Sequence, residues 1–121
     1  MKRDLELVRK IILAVEELPT GFVMEDLKVD GYTPEQIGYH SYLVVDAGLA
    51  EGIDGTAIGD TGPMWMIQHL TSAGHDFADA SRDETTWRKA TAVVKERAGG
   101  VTIELIKDIL TSIIKGTIGL P

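Results

Sequence analysis

The chain predicts an α+β fold with a winged-helix-like core, made of an N-terminal helix, a recognition-type helix and a two-stranded wing, with additional C-terminal helices. Three observations carry this. Thr33, Pro34 and Gln36 together write a helix start. A glycine-rich stretch after that helix lies between two runs of strand composition. Helical spacing of apolar residues governs both ends of the chain.

In the first helix, Leu5, Val8, Ile11, Ile12, Val15 and Leu18 recur at three- and four-residue steps until Pro19-Thr20-Gly21 stops it. Leu27 to Val29 suits a short strand, and Gly31-Tyr32 turns the chain into the central helix. There Thr33 caps, Pro34 takes the first helical position and Gln36 completes a capping box; Ile37, His40, Leu43, Val44 and Ala47 share the apolar face. Gly48 followed by Leu49 is a left-handed stop, so the helix ends at Ala47. The opposite stripe is Glu35, Tyr39, Tyr42 and Asp46, available to a partner.

The wing runs from Leu49 to Leu70. Leu49 to Ile53 forms its first strand and Met64 to Leu70 its second, with the tip at Asp54-Gly55 or at the longer Gly59 to Pro63 turn. Thr71 caps a helix through about Arg82, with Ala73, Phe77 and Ala80 inward and Gly74 small enough for a close approach. A further helix spans Glu84 to Ala98, presenting Trp87, Ala90, Val94 and Ala98 on one side, and Gly99-Gly100 breaks it. Thr102 begins the last helix, onto which Val101 can staple. Its apolar residues exceed one core-facing stripe, which points either to wrapping against the first helix or to a homodimer through Ile106, Ile109, Leu110 and Ile113.

With 121 residues and 44% hydrophobic content the chain suits one domain, 1–121, with its wing at about 49–70 and a C-terminal helical extension at about 72–117. The absence of cysteine removes disulfides, thiol catalysis and cysteine-bound zinc, and fits a cytoplasmic setting. Charged residues from Lys2 to Lys10 argue against a signal peptide, and those within the last helix against a membrane span. The formal charge is −7, and it is unevenly placed: between Pro19 and Ser81 ten carboxylates face one base, Lys28, while 1–18 is balanced and 82–121 is net positive.

Taken together, MKRDLELVRK, GYTPEQIGYHSYLVVDAGL, LTSAGHDFADASRDETTW and GGVTIELIKDIL resemble an uncharacterised family of small bacterial and phage proteins with no assigned activity. YHSYLVVDAGLAEG is also similar to the end of the recognition helix and first wing strand of winged-helix transcriptional regulators, and Leu70 to Gly74 resembles the junction after their wing. The sequence departs from that pattern between Leu27 and Thr33, where little room is left for the helix that normally precedes the recognition helix.

The chemistry points to binding. A winged helix on DNA places bases on its recognition helix and wing, but this stripe is Glu35, Tyr39, Tyr42 and Asp46, and the wing has no Lys or Arg. DNA would have to meet Lys2, Arg3, Arg9, Lys10 and the bases from Arg82 to Arg97 instead. Two tyrosines flanked by acids suit a protein partner, or else cover the wing or the last helix. His40, His69 and His75 with Asp76 and Asp79 do not converge, since His40 lies on a core face and His69 on a strand, so no metal or other cofactor is expected. The wing glycines are turn residues without the Lys-Ser/Thr of a phosphate loop, no serine sits in a nucleophile elbow, and Trp65, Trp87 and Phe77 read as core. The expectation is a non-enzymatic interaction or regulatory module binding a protein through its acidic, tyrosine-bearing helix face; the alternative is a DNA-binding transcriptional regulator.

Overall fold

The structure, a computed structural model, describes the backbone of residues 1–96 and 103–117 and the side chains of 1–95 and 103–112. The described residues form a mixed α+β arrangement of five helices and one two-stranded antiparallel sheet, in the order α1 (Leu5–Glu16), α2 (Pro34–Asp46), β1 (Ala50–Asp54), β2 (Trp65–Leu70), α3 (Ser72–Arg82), α4 (Glu84–Glu96) and α5 (Ile103–Thr117). Helix, helix, hairpin and helices is an order consistent with a winged-helix-like fold.

α1 lies at the centre, packed on α2 on one side and α3 on the other. Asp4 caps it, its Oδ1 accepting from the N–H groups of Glu6 at 2.9 Å and Leu7 at 3.2 Å. Leu7, Val8, Ile11, Ile12 and Val15 are fully enclosed, each stabilising the fold by roughly 1.5–3 kcal/mol relative to an exposed side chain. The buried arc is wider than the expected stripe. Leu7 joins it because α1 has neighbours on two sides, while Leu5 and Leu18 are only half-buried at its ends.

From 17 to 33 the chain is irregular, and the strand expected at Leu27 to Val29 does not form. Leu27 and Val29 are half-buried against the core, so their alternation serves packing without a ladder. One backbone bond ties this strap to the sheet, Val23 N–H to the Gln68 carbonyl at 2.8 Å. No helix precedes α2 among these residues.

α2 starts as the sequence requires. Thr33 Oγ1 accepts from Gln36 N–H at 3.2 Å and Gln36 Oε1 from Thr33 N–H at 2.8 Å. It ends in a Schellman motif: Leu49 N–H donates to Val44 at 3.1 Å and Gly48 N–H to Val45 at 2.9 Å, with Gly48 at φ +79°. The hairpin pairs Ala50 with Leu70 and Asp54 with Trp65, and a bulge leaves Gln68 without a partner on β1. That disruption lets the Gln68 carbonyl serve the strap. The tip is the longer of the two expected turns, closed by Gly55 N–H to Met64 at 2.8 Å and Asp60 N–H to Ala57 at 3.1 Å.

Thr71 joins three elements. It caps α3 by accepting from Gly74 N–H at 3.1 Å, donates its hydroxyl to Gly48 at 2.6 Å and its N–H to Leu49 at 3.0 Å. In α3 Phe77 and Ala78 are buried, whereas Ala73 and Ala80 are half-buried. Asp83 starts α4, accepting from Thr86 N–H at 2.8 Å; this bond holds its carboxyl below the usual aspartate range. Between the two helices Arg9 is 8% exposed and donates to the α3 carbonyls of Ser81 at 2.8 Å and Arg82 at 3.2 Å. It pairs with Glu6 at 3.3 Å and Glu84 at 3.1 Å and lies 5.4 Å over Trp87, whose indole N–H donates to Glu6.

α5 packs on α4 and α3. Ile106, Ile109 and Leu110, expected on a dimer face, are buried against this chain's own core. The Ile113 side chain lies outside the described residues, as do Ala98, Gly99-Gly100, Val101 and Thr102.

Two substitutions test this packing. A Cβ added at Gly74 would overlap the Leu49 carbonyl oxygen. Helix propensity alone makes Gly→Ala a gain of about 1 kcal/mol, but overlap with backbone is expected to win, and Gly74→Ala should lose roughly 1–3 kcal/mol. A raised melting midpoint would contradict the close approach of α3. Arg9→Met should cost about 2–4 kcal/mol in urea unfolding, because two helix-end carbonyls lose a charged donor, whereas Arg88→Met, at an exposed pair, should cost under about 1 kcal/mol. Equal midpoints for the two variants would remove Arg9 from this role.

Candidate protein-binding face

Helical spacing alone brings Glu35, Tyr39, Tyr42 and Asp46 to one side of α2. The structure leaves Glu35 and Asp46 exposed and the two tyrosines half-buried. The Tyr39 and Tyr42 rings are 6.1 Å apart, and Tyr42 lies 5.9 Å from Trp65 on β2. Trp65, expected in the core, is instead half-buried as the third member of an aromatic ladder running from α2 onto the hairpin. Trp87 and Phe77 are core, their rings 6.3 Å apart. Tyr39 also meets His40 edge-on at 5.6 Å, which ties the outer face to a buried junction.

His40 is 1% exposed. Its Nδ1 lies 2.7 Å from the Gln36 carbonyl, which can only accept, so Nδ1 carries the proton and Nε2 accepts the Asp4 N–H at 2.8 Å. Tyr32 donates its hydroxyl to Asp4 Oδ2 at 3.1 Å; burial, and then this carboxylate, raise the Tyr32 pKa. A cavity of about 760 Å³ beside this junction is lined by Asp4, Glu6, His40, Trp87 and Thr91 among others. Asp4, His40, Glu6, Trp87 and Thr91 each bond to the protein there. His69 faces Phe22 at 5.2 Å and His75 is exposed. Among the described residues no three His, Asp or Glu side chains come together as a metal site would need.

A second, apolar groove of about 400 Å³ opens between the strap at 23–28, α2 and the hairpin, with Leu27, Ile37, Ser41, Trp65 and Ile67 in its walls. Trp65 is shared between groove and ladder. The groove is not legible in the sequence because its third wall, the strap, follows no regular period; the available signal was Phe22-Val23-Met24 followed by two acids and Leu27, too short to read as an element.

All ten carboxylates between Pro19 and Ser81 are exposed, as is Lys28. Hydrogen bonds from the Thr56 hydroxyl and N–H hold Asp54 below the usual range. Of the bases assigned to an alternative DNA surface, Lys2, Arg3, Lys10, Arg82, Arg88, Lys89 and Lys95 are exposed as well. Arg9 is buried; Arg82 is held by Glu16 at 2.6 Å and Asp79 at 3.1 Å; Arg88 pairs with Glu84 at 3.5 Å; Lys10 lies 5.6 Å over Tyr32. Arg97 is outside the described residues.

Fold and site thus define an acidic α+β protein with an aromatic, carboxylate-rimmed surface on its second helix and hairpin. The chain belongs to the family described as "Hypothetical protein (DUF2513)", whose profile matches residues 2–101. An uncharacterized protein of Haemophilus influenzae is 31% identical over 123 residues, spanning 94% of this chain and 96% of its own. No solved structure matches. This is a family of unknown function. Among the described residues no helix is long and apolar enough to cross a membrane.

The charge of the face can be followed directly. With its folded pKa depressed, Asp54 contributes stability that is full above the ordinary value of about 3.9 and is lost as pH falls through the lower folded value. NMR titration of its carboxyl should therefore give a midpoint below that of an ordinary aspartate, and Thr56→Ala should raise it. An unchanged midpoint in the variant would assign the depression to another cause.

Proposed function

We propose that this protein is a non-enzymatic interaction or regulatory module that binds a protein through the outer face of α2 and the hairpin. The observation that carries the reading is the Tyr39–Tyr42–Trp65 ladder, surrounded by exposed carboxylates with Lys28 as the one base of the segment. Half-buried aromatic rings offer large contact area at low conformational cost, and Tyr and Trp dominate the energetics of protein interfaces. The acidic rim disfavours nucleic acid and favours a basic partner. Self-association through Ile106, Ile109 and Leu110 forms no part of the proposal, since the chain's own core contains them.

A second reading, a winged-helix DNA regulator, draws support from the order of helix and wing. It must bring phosphates to α2 and a hairpin without Lys or Arg, where counterion release has nothing to work with. Tyr39→Ala with Tyr42→Ala should leave the circular dichroism spectrum unchanged and weaken the captured partner by about 100-fold or more, at roughly 1–2 kcal/mol or above per hot-spot residue. Undiminished retention of every captured partner would remove the site assignment. Anisotropy of labelled random duplex DNA, titrated at low and then physiological salt, separates the two readings: the protein-binding reading expects no binding at either, and salt-sensitive binding would favour the regulator.

A further inference from the structure

Three observations converge on the 400 Å³ groove. The first is its mouth. Met24, Ile53 and Met66 are 83%, 49% and 51% exposed, an apolar rim that a folded chain ordinarily covers. Two of the three are methionines, whose flexible thioethers adapt to varied apolar shapes.

The second is Ser41. It is 2% exposed in the middle of α2 and lines the groove. Its hydroxyl lies at the groove wall, where an incoming polar group can meet it. The backbone from Met24 to Lys28 forms no hydrogen bond with another described residue, leaving an irregular strap whose donors and acceptors an extended segment can meet.

The third is charge. Glu25 and Asp26 stand in the wall and Asp54 lies opposite Trp65 in the sheet register, against Lys28 alone. A partner with bare apolar side chains would fill the groove but ignore this field. An acidic one would be repelled.

We infer that the groove takes an apolar side chain from a basic, extended segment of a partner protein, with Lys or Arg on either side of that anchor meeting Glu25, Asp26 and Asp54. This rests on α2 and the hairpin being the docking face and specifies the chemistry of what docks there. The anchor lies between Met24, Leu27, Ile37 and Ile67. The segment's main chain reaches Ser41 and the strap, and its basic flanks lie over the acidic rim next to the aromatic ladder.

The test is to pan a random twelve-residue phage-displayed library on the immobilised full-length protein and resynthesise the enriched peptides with a fluorescent label. Their affinities are then compared across variants. The enriched set should carry an apolar residue flanked by Lys or Arg. Met24→Ser with Met66→Ser, both at exposed positions, should weaken binding about tenfold or more while leaving the fold intact by circular dichroism. Glu25→Gln with Asp26→Asn should weaken it several-fold and flatten its salt dependence. No enrichment, an acidic or patternless enriched set, or affinities indifferent to Met24→Ser/Met66→Ser overturns the inference. Binding lost in Tyr39→Ala/Tyr42→Ala but kept in Met24→Ser/Met66→Ser overturns the groove and leaves the docking face standing. The reverse result keeps the groove and overturns the tyrosine assignment.

Discussion

The two hydrogen bonds of His40 set the geometry of the rest. One ring nitrogen donates to the Gln36 carbonyl within α2 and the other accepts the Asp4 N–H at the head of α1. In water such bonds are worth little, but at a nearly fully buried ring the alternative is an orphaned polar atom. Asp4 simultaneously caps α1 and receives the Tyr32 hydroxyl, so a single turn of chain fixes where α1 starts, how α2 crosses it and where the strap ends. The outer face inherits that angle, since Tyr39 stands edge-on against the His40 ring.

Further along α1, Arg9 performs a comparable task. Helix C-termini leave carbonyls without donors, and the guanidinium supplies them to α3 while its charge is balanced by Glu6 on α1 and Glu84 at the start of α4. Its planar fork and its stacking on Trp87 explain why a lysine could not substitute. A base that looked available for phosphate is therefore structural.

What remains exposed is asymmetric. The hairpin, the strap and the outer side of α2 carry the negative field, three aromatic rings and a mouth of exposed methionine and isoleucine, whereas the face containing α1, α3 and α4 is laced by ion pairs. A surface combining apolar contact area with unbalanced charge is selective as well as sticky: the apolar part supplies affinity and the field decides which partners approach.

Much of this was legible in the chain itself. The capping box at Thr33, the Gly48 stop, the Thr71 cap and the need for a residue as small as Gly74 follow from local rules about backbone donors and left-handed conformations, and these hold in any tertiary setting. The charge of the α2 face and its tyrosine spacing are likewise properties of sequence and helical period. Only the tertiary structure decided the strand that does not form at Leu27 to Val29, the burial of Ile106 and Leu110, the capture of Arg9 and the placing of Trp65 beside Tyr42. Each depends on which distant element supplies the missing neighbour. An apolar or charged side chain records a demand for a partner, but where that partner comes from is set by long-range packing, to which local periodicity is blind.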